Sequence, residues 1–114
     1  MLDINLEYVY GMLFIRLSGV LDKNTLFKLS KCLDKMIYEK ELKNFVLNLT
    51  DLKYIDEYGL KEIINRYFDV VLHDGKLVVC GYNNQFKKDI SLNNLFLSID
   101  HTSNELNALR LINL

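Results

Sequence analysis

The chain has no proline among its 114 residues and no tract of low sequence complexity. Proline-rich or repetitive stretches mark many linkers and disordered segments, so their absence favours a single domain over residues 1–114. Cysteine is also scarce, and the two cysteines present, Cys32 and Cys80, stand far apart within apolar patterns. We expect both to be buried, reduced thiols.

Net charge and long apolar runs are lacking as well. The 14 Lys and Arg residues are interspersed with 15 Asp and Glu residues, which gives a formal net charge of −1. This balance argues against nucleic acid or an anionic membrane as the main partner. No apolar run approaches the roughly 20 residues of a membrane span, and the first residues lack the pattern of a signal peptide. We therefore expect a cytoplasmic protein.

Four lysines fall near one another on a predicted helix: Lys23, Lys28, Lys31 and Lys35. We interpret them as a solvated helix face, and a docking patch is the alternative.

Patterns that carry catalysis or bind metals are missing. Neither histidine, His73 or His101, is paired at helical spacing with a second ligand, so we expect no metal site. The chain has no Gly-x-Ser-x-Gly elbow, no Gly-x-Gly-x-x-Gly turn and no P-loop lysine. Asp51, Asp56 and Glu57 are clustered, but at this position we expect them to stabilise a helix rather than catalyse. We expect a protein that is not an enzyme and that uses no cofactor.

The first half of the chain predicts a hairpin followed by a helix. Residues 4–9 and 12–18 alternate apolar and polar side chains, and Tyr10-Gly11 between them is typical of a β-turn. From Asn24 to about Lys40, apolar residues recur three and four apart, with Asp22 or Asn24 as the cap. The apolar run 45–49 predicts a central strand that is covered on both faces.

The second half predicts further alternation of helices and strands. The clearest helix runs from Glu57 to Leu72, and a strand from Lys76 to Cys80 follows the turn that Gly75 ends. We predict a short helix at residues 83–90 and an edge strand at residues 95–99. A capping box at 102–105 then opens a last helix. The apolar positions expected to face the core are Leu60, Ile63, Ile64, Tyr67, Phe68 and Val71 in the long helix and Leu106, Leu109 and Ile112 in the last.

This order of elements predicts an α/β domain. Strand-helix-strand units put neighbouring strands parallel, while the hairpin is antiparallel. We therefore expect a mixed sheet of about five strands with an antiparallel N-terminal hairpin, covered by about four helices.

Acidic residues mark two loops at the carboxyl ends of predicted strands. Asp22 follows the second strand and Asp56 follows the third, and each precedes a helix. In an open α/β sheet, loops at this edge adjoin and form the binding crevice. We therefore expect the two loops to form one polar rim that meets a partner.

The two loops resemble those of the STAS domain, the domain of bacterial anti-sigma factor antagonists. The family's Asp-Ser-Ser/Thr-Gly corner aligns with Asp56-Glu57-Tyr58-Gly59, and its Gly-x-Leu/Ile-Asp sequence aligns with Gly19-Val20-Leu21-Asp22. The resemblance implies a protein that binds an anti-sigma factor, usually also a serine kinase of the histidine-kinase-like ATPase fold, and so frees a sigma factor. It implies partner binding at Asp22, Asn24, Thr25, Asp56, Glu57, Tyr58 and Gly59.

The resemblance also implies a switch that this sequence lacks. In the family, the kinase phosphorylates the second hydroxyl residue of the corner, at a helix N-terminus that favours a phosphate. The added charge, about two units, disrupts docking. Tyr58 stands at that position here and Glu57 precedes it, so we expect serine phosphorylation of the corner to be lost. Thr50 is the nearest hydroxyl, and its place before the loop makes it a poor substitute.

Two interpretations of Glu57 and Tyr58 remain open. In the first, Tyr58 is an exposed aromatic anchor of an interface and Glu57 supplies a fixed negative charge. In the second, Glu57 only stabilises the start of the helix and Tyr58 is a surface residue without a role.

Three functions are compatible with the resemblance. The first is an antagonist that docks on a kinase-type anti-sigma factor. The second is a scaffold subunit that stacks on other STAS domains in a bacterial signalling assembly. The third is a small-ligand module, which we rank last because an anionic ligand would meet the like charges of Asp22, Asp56 and Glu57.

Overall fold

The computed structural model describes residues 1–81, 96 and 98–113 of the chain. Its elements are, in order, β1 (Leu2–Val9), β2 (Met12–Leu21), α1 (Leu26–Asp34), β3 (Asn44–Ile55), α2 (Glu57–Leu72), β4 (Lys76–Cys80), β5 (His101–Thr102) and α3 (Glu105–Ile112). A π-helical turn, Lys35–Glu39, continues α1. The five strands form one sheet in the order β1-β2-β3-β4-β5, with β1 antiparallel to β2 and the other neighbours parallel.

This mixed sheet confirms the predicted α/β fold and its N-terminal hairpin. Tyr10 and Gly11 have φ values of 52° and 80°, as a tight turn between twisted antiparallel strands requires. The predicted bounds of α2 and β4 are those of the structure. The central strand β3 is longer than expected and continues to Ile55, so that its carboxyl end leads directly to Asp56.

Apolar layers cover the sheet on both faces, which explains the nearly continuous apolar sequence of β3. The larger layer includes Phe45 and Leu47 of β3 and lies beneath α1 and α2. The smaller layer includes Val46 of β3 and lies beneath α3, where Ala108 and Ile112 are buried. The two faces thereby fix the register of the strand, because a slip by one residue would exchange the layers.

The predicted start of α1 is wrong by about two residues. The helix begins at Leu26, and Thr25 is its N-cap position, without a side-chain hydrogen bond to the first turn. Asp22 and Asn24 therefore do not cap the helix. The Asp22 carboxylate instead accepts hydrogen bonds from the backbone N–H groups of Asn24 and Thr25, at 2.9 and 3.1 Å, because the chain makes a turn before the helix starts.

The predicted capping box at residues 102–105 is also wrong. Thr102 lies in β5, and the N-cap of α3 is Asn104. The side chain of Asn104 accepts a hydrogen bond from the N–H of Asn107 at 2.9 Å. Glu105 does not bond back to Thr102, because ionic partners on the sheet engage its carboxylate. Leu106, predicted on the buried side of this helix, is 61% exposed.

The predicted edge strand at residues 95–99 is displaced. The strand that pairs with β4 consists of His101 and Thr102, opposite Val79 and Cys80, and Ser98 and Ile99 lie in the turn before it. The predicted short helix at residues 83–90 falls outside the described residues. The described part of the chain contains three α-helices, where the sequence predicted about four over the whole chain.

In α2, the buried face is rotated slightly from the prediction. Leu60, Ile63 and Ile64 are buried as expected, but Phe68 and Val71 are each 45% exposed. Val70, which was not predicted, is buried instead. The helix packs on both α1 and the sheet, so its contact stripe follows 60, 63, 67 and 70 and leaves the far flank in solvent.

Both cysteines are free thiols in the structure, with Cys80 buried and Cys32 half-buried. Burial, together with the nearby Glu105 carboxylate, raises the pKa of Cys80 to about 12. This thiol therefore stays protonated and unreactive at neutral pH. None of the helices in the described part of the chain has the length and apolar character that crossing a membrane requires.

A half-buried ion pair fastens α3 to the sheet. Arg16 of β2 donates from Nε and Nη2 to the two carboxylate oxygens of Glu105, at 2.7 and 2.9 Å, and Asn48 donates to the same carboxylate at 2.8 Å. The hydrogen bonds from Arg16 hold the pKa of the Glu105 carboxyl below its ordinary value, against the opposing effect of burial. The charged form of Glu105 is therefore the form that stabilises the fold.

Acid is expected to weaken this link between α3 and the sheet. Because the pKa of Glu105 is lower in the folded chain, its contribution is complete above the ordinary glutamate value and is lost as the pH falls through the folded value. Glu105→Gln should lower the free energy of unfolding by about 1–2 kcal/mol at neutral pH, and the difference should shrink in acid as the Glu105 carboxylate becomes protonated. Urea denaturation of both proteins across this range measures it. A difference that acid does not change would contradict the assigned role.

Candidate functional site

The two loops predicted to form one rim are in direct contact. The ends of β2 and β3 lie side by side, with Leu21 opposite Ile55. The N–H of Asp56 donates to the carbonyl of Leu21 at 3.2 Å, and the Asp56 carboxylate accepts a hydrogen bond from the N–H of Lys23 at 3.1 Å. The loop after β2 and the corner after β3 therefore form a single surface, which we call the corner surface (residues 22–25 and 56–59).

Asp56 organises this surface with both of its carboxylate oxygens. It is the N-cap of α2, in extended conformation, and its Oδ1 accepts a hydrogen bond from the N–H of Gly59 at 2.8 Å. Its Oδ2 reaches across to the N–H of Lys23. An N-cap carboxylate is typically worth about 1 kcal/mol to a helix, and here it also ties two loops together.

Gly59 is required by the close approach of α2 to the end of β2. A Cβ atom at this position would lie 2.5 Å from the carbonyl oxygen of Leu21 and 2.9 Å from Cγ1 of Ile55. These distances are shorter than real contacts allow, and the nearer atom belongs to backbone that cannot turn away. A helix therefore begins with a glycine in its first turn because a side chain there would push the two loops apart.

Gly59→Ala is expected to lower the free energy of unfolding by about 1–3 kcal/mol, the usual cost of overpacking. A loss of stability would be informative, because replacing glycine with alanine inside a helix otherwise raises the free energy of unfolding by about 1 kcal/mol. Asn65→Ala, at an exposed position of the same helix, is the control and should be neutral or slightly stabilising. Urea denaturation of the three proteins measures both effects. Equal stability of Gly59→Ala and wild type would mean that the loops can separate without cost.

The loop after β2 is fixed by its own hydrogen bonds. The hydroxyl of Thr25 donates to the carbonyl of Val20 at 2.8 Å and accepts a bond from the N–H of Asp22 at 3.0 Å. The Asp22 carboxylate binds backbone N–H groups within the loop. Asp22 and Thr25 thus shape the corner surface, whereas the neighbouring side chains of Lys23 and Asn24 are exposed.

Tyr58 is the aromatic feature of the corner surface. Its side chain is 42% exposed, and Glu57 beside it is exposed as well. The ammonium group of Lys23 lies 5.5 Å from the centroid of the Tyr58 ring, within the range of a cation–π contact. Lys23 was expected on the helix with Lys28, Lys31 and Lys35, but it lies in the loop before α1. It was not among the predicted partner-binding residues, and its place between Asp22 and Asn24 was the available signal. The contact orients both side chains at the solvent-facing front of the surface.

The side chains exposed on the corner surface are aromatic and charged. Among the described residues, no group of three or more His, Cys, Asp and Glu side chains could hold a metal ion. The hydroxyl of Thr50, the aliphatic hydroxyl of β3, donates to the side chain of Asn48, and Thr50 precedes Asp56 by about 20 Å of extended strand. An exposed tyrosine of this kind is a residue type that is enriched at protein interfaces.

Comparison with known proteins relates the chain to one family. A family model for the STAS domain matches residues 3–109. An anti-sigma F factor antagonist of Paenibacillus polymyxa is 32% identical over 108 residues, which cover 95% of this chain and 92% of that protein. The match therefore includes the corner surface and almost everything around it.

Two solved structures share the fold at low sequence identity. One is tm1081 of Thermotoga maritima, proposed to be an anti-sigma factor antagonist, with a TM-score of 0.90, 17% identity and coverage of 97% of this chain and 95% of that one. The other is an anti-sigma factor antagonist of Mycobacterium paratuberculosis, with a TM-score of 0.88, 18% identity and coverage of 99% and 95%. Likeness at these identities concerns the fold alone.

Proposed function

This chain belongs to the STAS domain family, and from that premise we propose that it is an anti-sigma factor antagonist. In this role it is a cytoplasmic binding protein without enzymatic activity. It docks on an anti-sigma factor and thereby releases a sigma factor. The relative in Paenibacillus polymyxa, named an antagonist of anti-sigma F factor, supports the proposal because the similarity extends over nearly the full length of both chains.

The corner surface is the proposed docking site. The observation that carries this is the exposed ring of Tyr58, held beside Lys23 at 5.5 Å on a rim that Asp56 and Gly59 make rigid. A large aromatic side chain that is already oriented loses little conformational entropy when it binds, which is why tyrosine is enriched among residues that dominate interfaces. The proposed partner is an anti-sigma factor that is also a serine kinase of the histidine-kinase-like ATPase fold.

The proposed complex is not controlled by serine phosphorylation of the corner. Tyr58 stands where the family's phosphorylated residue stands, and its hydroxyl lies at the end of a rigid ring, well beyond the reach expected for a serine. Glu57 instead places a permanent negative charge in the first turn of α2, where the helix dipole favours it by about 0.3–1 kcal/mol. Docking would then depend on the amounts of the two proteins rather than on a kinase reaction.

Titration calorimetry against each kinase-type anti-sigma factor encoded in the same genome tests the proposal. We expect a one-to-one complex with one of them, which survives incubation with ATP and Mg²⁺. Mass spectrometry after that incubation should find no added phosphate. Failure to bind any candidate would refute the antagonist role, whereas a phosphate on Tyr58 or Thr50 would refute only the absence of a switch.

A further inference from the structure

The outer edge of β1 carries backbone hydrogen-bonding groups that are free in the described part of the chain. The N–H of Val20 donates to the carbonyl of Met1 at 3.0 Å, while Leu2 lies opposite Gly19. Bonded and non-bonded pairs alternate in an antiparallel ladder, so the odd-numbered residues of β1 bond to β2. The backbone groups of the even-numbered residues therefore point outward.

Lys28 supports this orientation and limits the length of the free edge. Its ammonium group donates to the carbonyl of Leu2 at 2.7 Å, which covers the first outward-facing residue. Ile4, Leu6 and Tyr8 remain, and β1 is the last strand on its side of the sheet formed by the described residues. Lys28 of α1 therefore shortens the free edge to these three residues.

The side chains of the same residues line a groove between β1 and α1. One half is apolar, with a volume of about 360 Å³, and is lined by Leu6, Tyr8, Leu13, Met36, Lys40 and Leu42. The other half, about 540 Å³, has a cationic wall formed by Lys28, Lys31 and Lys35, with Ile4 and Phe27 in it and Asp3 at its border. The exposed side chains of Leu6, Tyr8 and Phe27 leave this surface without an apolar cover in the described structure.

We propose that this edge binds an extended segment of a partner protein as an added antiparallel strand. From its N-terminus, the segment carries two apolar side chains and then an acidic one, each separated by one residue. Because the segment runs antiparallel to β1, the two apolar side chains lie opposite Tyr8 and Leu6 and enter the apolar half of the groove. The acidic side chain lies opposite Ile4 and meets Lys31 and Lys35. Backbone hydrogen bonds supply affinity in this mode, and the groove supplies the choice of sequence.

The distribution of charge favours such a partner over a second copy of this chain. Antiparallel pairing of two β1 strands about a two-fold axis would place the apolar half of each groove against the cationic half of the other. Apolar side chains would then cover lysines without a counter-charge, which costs free energy. An acidic and apolar segment matches both halves at once.

The probe for the test is the synthetic peptide Ac-Thr-Val-Thr-Ile-Thr-Glu-Thr-NH₂, titrated into ¹⁵N-labelled protein and followed by amide chemical shifts. We expect shifts centred on Ile4, Leu6 and Tyr8. Replacing the Glu of the peptide with Lys should weaken binding about tenfold. N-methylation of the Ile should also weaken it about tenfold, because that N–H faces β1, whereas N-methylation of the preceding Thr, facing solvent, should be tolerated.

This test is separate from that of the antagonist role. Tyr58→Ala changes the corner surface and not the edge of β1, so this variant should bind the peptide as tightly as wild type does. Absence of shifts at millimolar peptide would overturn the proposal, as would equal effects of the two N-methylations. Ultracentrifugation of the protein alone gives a further check. A concentration-dependent dimer with shifts at the same amides would assign the edge to a second copy. Vesicles of phosphatidylglycerol are added in a separate titration. If they shift the amides of β1 and the peptide does not, the groove binds a membrane surface instead.

Discussion

Arg66→Met is expected to lower the free energy of unfolding by about 2–4 kcal/mol, because it removes the buried cation of an ionic cluster whose carboxylates are buried only in part. Arg66 lies in α2, is 8% exposed, and donates to Glu62, Asp69 and the Asp34 carboxylate of α1. It also bonds to the hydroxyl and the carbonyl of Ser30 in α1. Burial alone would lower the pKa of the guanidinium, but the hydrogen bonds to Glu62 and Asp34 outweigh it, so the pKa is raised.

The physical reason for the large effect is the group of carboxylates that remains. Without Arg66, the Glu62 carboxylate, whose side chain is only 11% exposed, would lose its one ion-pair partner among the described residues and would stay near two like charges. The two helices would also lose the side chain that joins them.

Two variants separate this cluster from general effects of losing a charge. Arg66→Lys keeps the charge but cannot reach several partners at once, so it should lose an intermediate amount of stability. Arg110→Met removes an exposed arginine from α3 and should change stability by less than about 0.5 kcal/mol. Urea denaturation of each protein gives the three differences. A loss for Arg66→Met no greater than that for Arg110→Met would show that the cluster is only a surface contact.

The sequence predicted best those elements whose ends carry local signals. The bounds of α2 and β4 are correct because Asp56 caps one end and Gly75 marks the turn between them. The end of β3 was missed because β4 pairs with β3 only as far as Asn48. Beyond that point β2 is the only neighbour of β3 among the described residues. Exposed polar residues such as Asp51 and Lys53 therefore alternate with buried Leu52 and interrupt the apolar run.

Interactions between distant residues could not be predicted from local patterns. The predicted capping box at the start of α3 does not form, because Arg16, 89 residues earlier in the chain, binds the Glu105 carboxylate. In a capping box that carboxylate would bond to the backbone at the start of the helix. In the sequence, Arg66 looks like any other charged residue on a helix face. Its partners Asp34 and Ser30 on α1 are 32 and 36 residues away along the chain. A single sequence gives the spacing of such residues along the chain but not their approach in space.

The corner surface was predicted because topology determines it. Loops at the carboxyl ends of adjacent parallel strands adjoin whatever their sequence, so Asp22 and Asp56 could be placed on one rim. The sequence could not show which residues of the rim shape its backbone and which remain exposed for binding. Only the structure shows that Asp22, Thr25 and Asp56 are engaged with backbone groups, and that Lys23 packs against Tyr58.

Tyr58→Ala is expected to weaken the proposed complex with the anti-sigma factor by about 30-fold or more, equivalent to about 2 kcal/mol of binding free energy. The ring is half-exposed in the free protein, so the free energy of unfolding should change by less than about 0.5 kcal/mol. Tyr38→Ala is the matched control, since Tyr38 is similarly exposed but lies beside His73, at the other end of the sheet. Titration calorimetry with both variants measures the difference, and equal affinities would remove Tyr58 from the interface.

Tyr58→Ser then separates the anchor from the switch, because it removes the ring and creates a hydroxyl at the first turn of α2. If Tyr58 replaced a phosphorylated serine on an otherwise intact corner, the kinase-type partner and ATP should phosphorylate Tyr58→Ser but not wild type. The phosphate would meet the free N–H groups of the helix start, alongside the fixed charge of Glu57. Mass spectrometry detects the modification, and calorimetry should show that it abolishes the remaining affinity. A variant that binds but is never phosphorylated would mean that the kinase, and not only the corner, has lost the reaction.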